Sequence, residues 1–212
     1  MKSRSQTFEE EIANGITHGL GIVFTLVAMP FLLKKTAAQA SELQYWAMCL
    51  FGFGMLMVYT SSTLYHAVQR KTLKKKLNIW DHVSIFFLQG GSYAPFVQFY
   101  CDAETAKTFL LAQWTIIIIG AILKLFFTGK YEKASIVLYV FLGWSVVFLI
   151  EPFYQNMPLE IFKWILTGGL SYTFGVFFYR WDEKKYAHTV WHIFVLFGTI
   201  CHFIAAWKML DT

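Results

Sequence analysis

Seven separate stretches of this 212-residue chain are apolar for long enough to cross a bilayer, at approximately 16–33, 44–66, 81–100, 109–127, 134–151, 160–179 and 189–208. A helix needs about 20 predominantly apolar residues to span roughly 30 Å of hydrocarbon. Strands of a membrane barrel would be about 10 residues long and would alternate strictly, whereas these runs are continuous. The connections between them are short and leave no segment for a soluble domain. The sequence therefore predicts an all-α polytopic membrane protein, one domain over residues 1–212 built as a seven-helix transmembrane bundle. Composition agrees, because 15% of the residues are charged where a soluble domain carries about 25%.

The first run is read as a retained helix rather than a cleaved leader. Ala38-Gln39-Ala40 has the small residues of a cleavage site, but the stretch "SRSQTFEEEIANG" before the run is acidic where a leader would be basic. That stretch is expected to be a short amphipathic or interfacial segment. The three cysteines, Cys49, Cys101 and Cys201, are scattered in or beside apolar runs. They form neither a disulfide framework nor a paired metal motif, and are expected to be small buried hydrophobes.

With seven spans the termini lie on opposite sides, so loop charge sets the orientation. The N-terminus and the loops after the second, fourth and sixth runs hold 13 of the 18 basic residues, Lys2 and the "QRKTLKKK" cluster at 69–76 among them. Short basic loops stay on the cytoplasmic side, which predicts the N-terminus inside and the C-terminus outside. No recognition fold surrounds the lysine cluster, so it reads as a topology anchor against anionic headgroups rather than a nucleic-acid site.

That topology brings the ionisable residues to one depth. His66 ends the second run, Asp81 starts the third, and His188 and His192 head the last. Residues four apart share a helix face, so Ser62 points with His66, and His188 with His192. Ionisable residues in spanning segments are rare and mark functional interiors. Three imidazoles from two helices could hold a divalent ion and leave a fourth position for water, the ligand set of catalytic zinc sites. Asp81 could then bond that water or orient a ligand ring. Taken alone, a pair of histidines at a helix end needs no metal, and these residue types leave iron or another divalent ion open beside zinc. His82 diverges from Asp81 by about 100°, His202 lies about 15 Å deeper than His192, and His18 is flanked by Gly15, Gly19 and Gly21. These three are expected to be structural, His18 at a close helix contact.

The segments "EEIANGITHGLG", "SSTLYH", "DHVSIFFLQGGSYAPF" and "HTVWHIFVLFGTICHF" resemble the hemolysin III branch of the progestin and adipoQ receptor family, in order and over essentially the whole chain. The resemblance implies seven membrane helices with the N-terminus inside, zinc held by His66, His188 and His192, its water held by Asp81, and Ser62 lining the site. The receptors of that family carry a long soluble extension that does not precede this sequence, so hormone reception is not the first expectation. The family is also similar to alkaline ceramidases, which cut a lipid amide. With Asp81 as base and Ser62 beside it, the leading expectation is a metal-dependent hydrolase of a membrane lipid amide or ester. It would serve lipid homeostasis in the plasma membrane.

Two alternatives belong to other classes. A pore-forming hemolysin needs polar lining from end to end, and the fifth run offers only Ser135, Tyr139 and Ser145. A receptor or lipid-responsive regulator without turnover would need the same lipid partner and the same fold. The sequence does not set the oligomeric state.

Overall fold

The computed structural model describes residues 4–181 and 183–212, so Lys2, counted among the basic residues above, lies outside it. The described chain is helical throughout, in the order α1 (Phe8–Gln39), α2 (Glu42–Ala67), α3 (Lys71–Tyr100), α4 (Ala103–Phe127), α5 (Glu132–Gly143), a 3-10 turn (Ser145–Leu149), α6 (Ile150–Asn156), α7 (Leu159–Arg180) and α8 (Ala187–Met209). Six segments are long and apolar enough to cross a membrane: α1, α2, α4, the stretch from α5 through α6, α7 and α8. The chain is thus an all-α, multi-pass membrane protein.

Helix α3 is as long as the others, at 30 residues, yet carries four lysines and Asp81. Its position explains the difference. It packs against α2, α4, α5, α6 and α8, so most of its surface meets protein and need not be compatible with lipid. The lipid-type surface lies elsewhere: Ile118, Ile119, Ile122 and Phe126 of α4 all point outward.

Two helices begin earlier than their apolar runs. Thr7 caps α1 through a reciprocal capping box with Glu10, a signal that starts a helix independently of hydropathy. Residues 8–15 are therefore the first two turns of α1 and continuous with its apolar run, and they deliver Glu10 and Asn14 to the bundle interior and Glu11 to the recess between α1 and α2. Likewise the lysine cluster is not a loop: residues 71–76 are helical and only 68–70 connect α2 to α3.

Helix α2 packs closely on α3. A Cβ at Gly54 would stand 2.6 Å from the Phe87 carbonyl oxygen, and one at Gly91 would stand 2.6 Å from that of Leu50. Small residues at such crossings let backbones meet, and here the reciprocal pair sets the spacing. Nearer the Asp81 end, the Ser61 hydroxyl donates to Ser84 Oγ at 2.8 Å and the Ser84 hydroxyl donates to the Asp81 carbonyl at 2.7 Å. The rotation of α2 on α3 is thereby fixed, and with it the direction in which Ser62 and His66 point.

The fifth apolar run does not form one helix over 134–151. It breaks between α5 and α6, and Tyr93 of α3 mends the break: its hydroxyl donates to the Gly143 carbonyl at 2.7 Å and accepts the Val146 N–H at 2.9 Å. Irregular backbone survives at membrane depth only where protein groups satisfy it.

Candidate metal centre and its cavity

The site grows from the first turns of α8. Tyr186, just before the helix, is the one described non-glycine residue with positive φ, at 61°. Such a backbone costs of order 1–3 kcal/mol and persists where surroundings over-determine it. Here the Tyr186 N–H donates to the Glu10 carboxylate at 2.8 Å, while Arg4 pairs with the same carboxylate. One turn on, the Thr189 hydroxyl donates to Asn14 Oδ1 at 2.6 Å. Helix α1 thus pins the start of α8, and with it the two histidines on its first two turns.

His188 and His192 meet His66 from the last turn of α2. One ring nitrogen from each lies within 4.8 Å of the other two, and the ring centroids are 4.6–5.3 Å apart. His66 Nδ1 lies 2.7 Å from Glu11 Oε2. His192 Nδ1 lies 3.2 Å from the Asn14 carbonyl and 3.3 Å from Thr17 Oγ1. A carboxylate and a carbonyl can only accept, so both Nδ1 atoms carry the proton and both Nε2 atoms keep a lone pair. The Nε2 atoms of His66 and His188 are buried without a hydrogen-bond partner among the described residues.

Orphaned buried ring nitrogens are costly, and three converging imidazoles, one backed by a carboxylate, suit a divalent cation. Tetrahedral zinc with nitrogen ligands at about 2.0–2.1 Å would need the rings to close in slightly. The residues present fit such an ion.

Asp81 and Ser62 reach the same space by another route. Both line a cavity of about 1750 Å³ together with His18, His188 and His192. The Ser62 hydroxyl is buried and has no hydrogen-bond partner among the described residues. His66 sits behind it, on a recess of about 320 Å³ at the seam of α1 and α2. No hydrogen bond joins the Asp81 side chain to an imidazole among the described residues; they share a cavity, not a contact.

The other histidines divide. His82 Nδ1 lies 2.8 Å from the Asn78 carbonyl and His202 Nε2 lies 3.2 Å from that of Ile165, so each spends a ring nitrogen on the backbone. His18 is not simply a helix contact. Its ring stacks on His192 with centroids 3.6 Å apart and planes 12° from parallel, and both its nitrogens are buried without partners. Of the glycines around it, Gly21 does serve packing, since a Cβ there would fall 2.4 Å from the Tyr59 ring, but Gly19 has nothing within 4 Å.

The groups that sequence reasoning missed are Glu10, Glu11, Asn14 and Thr17. The signal was present: Glu10, Asn14, His18, Gly21 and Thr25, all buried, recur at helical spacing and put polarity on the inward face of a membrane helix.

Comparison with known proteins places these residues in a wider group. A family model described as "Haemolysin-III related" matches residues 6–203. "Hemolysin-3" of Bacillus cereus is 34% identical over 203 residues, covering 96% of this chain and 93% of its own. The "Hemolysin-3 homolog" of Bacillus subtilis (strain 168) is 34% identical over 197 residues, with 93% and 92% covered. The human "Monocyte to macrophage differentiation factor" is 26% identical over 210 residues, covering 96% of this chain and 86% of its own.

Proposed function

The chain belongs to the Haemolysin-III related family, and from that premise we propose that it is a zinc-dependent hydrolase of a membrane lipid amide or ester, acting in the plasma membrane in lipid homeostasis. The observation that carries this reading is the convergence of His66, His188 and His192 within 4.8 Å, with two of their Nε2 atoms buried and without a partner among the described residues. Those three rings would hold the ion. Bound zinc would supply a water of pKa about 7 and a polarised carbonyl.

The chain's own residues do the rest. Asp81, facing the cavity, accepts the proton of the attacking water and returns it to the leaving amine or alcohol. Ser62, whose hydroxyl has no partner among the described residues, donates to the substrate beside it. Glu11 and the Asn14 carbonyl hold the His66 and His192 rings in the tautomer that presents Nε2. Substrate would enter from the side where outward-facing Leu125, Phe126, Val147 and Ile150 line the cavity.

The reading includes a topology. Helix α3 counts as the seventh span, crossing as the bundle's internal helix, which puts the basic 68–76 region and the N-terminus in the cytoplasm and Thr212 outside. Reporter fusions at 69 and 212 test it; activity of the 212 fusion only in the cytoplasm would overturn it.

The relatives named for hemolysis raise a pore. The cavity's far wall of Phe96, Phe153, Phe162 and Ile165 argues against a polar passage, and a regulator without turnover would use the same site. Elemental analysis of purified protein, followed by release of fatty acid from ceramide and phospholipid in nanodiscs, separates the readings. About one zinc per chain with turnover is expected. Metal without turnover leaves the regulator, and protein free of any divalent metal removes the proposal.

A further inference from the structure

The cavity changes chemistry along its length. At one end its lining includes Lys71 and Lys75 from α3, Lys130 after α4, Lys133 from α5 and Arg180 at the end of α7. All five are exposed, and none makes an ion pair among the described residues. Lys74, between the first two, is already engaged by Glu11 at 2.9 Å. Among the described residues, Glu132 and Glu183 also line that rim, so cations outnumber the carboxylates that face them there. Past the histidines the walls become mainly apolar, through Leu88, Phe96, Val140, Phe153 and Val195, with Ser92, Tyr172 and His202 among them. From His188 to His202, which lines the far end, α8 advances about 21 Å, room for an extended long acyl chain.

We infer that the cavity binds a single-chain amphiphile with an anionic headgroup, a phosphate or carboxylate. Its acyl chain lies in the bore and its headgroup lies among Lys71, Lys75, Lys130, Lys133 and Arg180. The inference rests on the lipid-hydrolase reading only for the bond that would be cut; the binding itself follows from the lining. Positive charge on cytoplasmic ends also anchors topology, but that role is indifferent to the cavity. Lys76 and Lys184 are exposed on the same side and do not line it. They carry the anchor role without the binding role, which makes them the control.

The experiment uses the full chain in nanodiscs of neutral phosphatidylcholine and two non-hydrolysable fluorescent probes of equal chain length, an alkyl phosphate and an alkyl phosphocholine. The phosphate probe binds about tenfold or more tightly, a preference that shrinks as salt is raised. Lys75→Glu with Lys133→Glu abolishes the preference and leaves phosphocholine binding unchanged; Lys76→Glu with Lys184→Glu, the same change in net charge, preserves it. Equal affinity for the two probes overturns the inference, as does equal loss in both double variants. Displacement of the probe by millimolar inorganic phosphate would also overturn it, by showing a headgroup site that needs no chain. Wild type that prefers the anionic probe but cleaves no lipid sinks the hydrolase reading alone.

Discussion

Helices α2 and α4 are nearly the same length, 26 and 25 residues, and both are apolar enough to span a bilayer, yet 56% of the spanning window of α2 is buried against 22% for α4. The difference lies in where the small and polar residues fall. α2 turns Gly54, Ser61, Ser62 and His66 inward, toward α3 and the histidine cluster. α4 turns isoleucines and Phe126 outward and keeps inside little more than Gln113, Ile117, Gly120 and Lys124. Hydropathy says that both helices cross; only the placement of glycine, serine and histidine says which one builds a site.

The strongest way to break this contrast is at the cluster. His192→Ala leaves two imidazoles, too few for a catalytic zinc site. Metal per chain, measured by elemental analysis, is expected to fall from about one to near zero. A full equivalent retained by this variant would place the centre elsewhere.

Gly91→Ala probes the scaffold instead. The added methyl meets the Leu50 backbone carbonyl, which cannot swing away as a side chain can. Overpacking of this kind costs about 1–3 kcal/mol, read as a lowered midpoint of thermal unfolding in detergent. An unchanged midpoint would mean that the α2–α3 spacing is set by something other than this pair.

Glu11→Gln sharpens the role of α1. It keeps the size and one acceptor but removes the charge that holds His66 Nδ1. The expected loss is about 10–100-fold in metal affinity, measured by competition with a chelator, with unfolding little changed because Glu11 stays at the helix surface facing the recess. Affinity equal to wild type would reduce Glu11 to a partner of Lys74.

The smallest effect belongs to α4. Ile118→Val, on the lipid-facing side, is expected to shift unfolding by no more than about 0.5 kcal/mol and to leave metal content untouched. A large effect would mean that this face is covered by protein rather than lipid.

Most of the helices were legible because spanning imposes a length and an apolar surface on each. The convergence of His66 with His188 and His192 was legible as well, since alternation of spans puts the end of α2 and the start of α8 at one level. Three things were not. The start of α1 hid behind its charge: Glu10 and Glu11 look like solvent residues until Arg4, Tyr186 and His66 are brought to them. Helix α3 extends to Lys71 because lysine is a good helix former, a tendency that hydropathy does not register. The break after Gly143 depends on Tyr93, fifty residues away, and no local pattern announces a partner at that distance.

That break also fixes a dimension. A 3-10 turn rises about 2.0 Å per residue against 1.5 Å in an α-helix, so the five residues Ser145–Leu149 make their segment about 2.5 Å longer than an unbroken helix would be. Coiling them back would draw Val146 and Gly143 away from the Tyr93 hydroxyl that both now use. One phenol thus works as a spacer that sets the reach of the fifth segment, on a scale comparable to the few ångströms that distinguish one cellular membrane's thickness from another's.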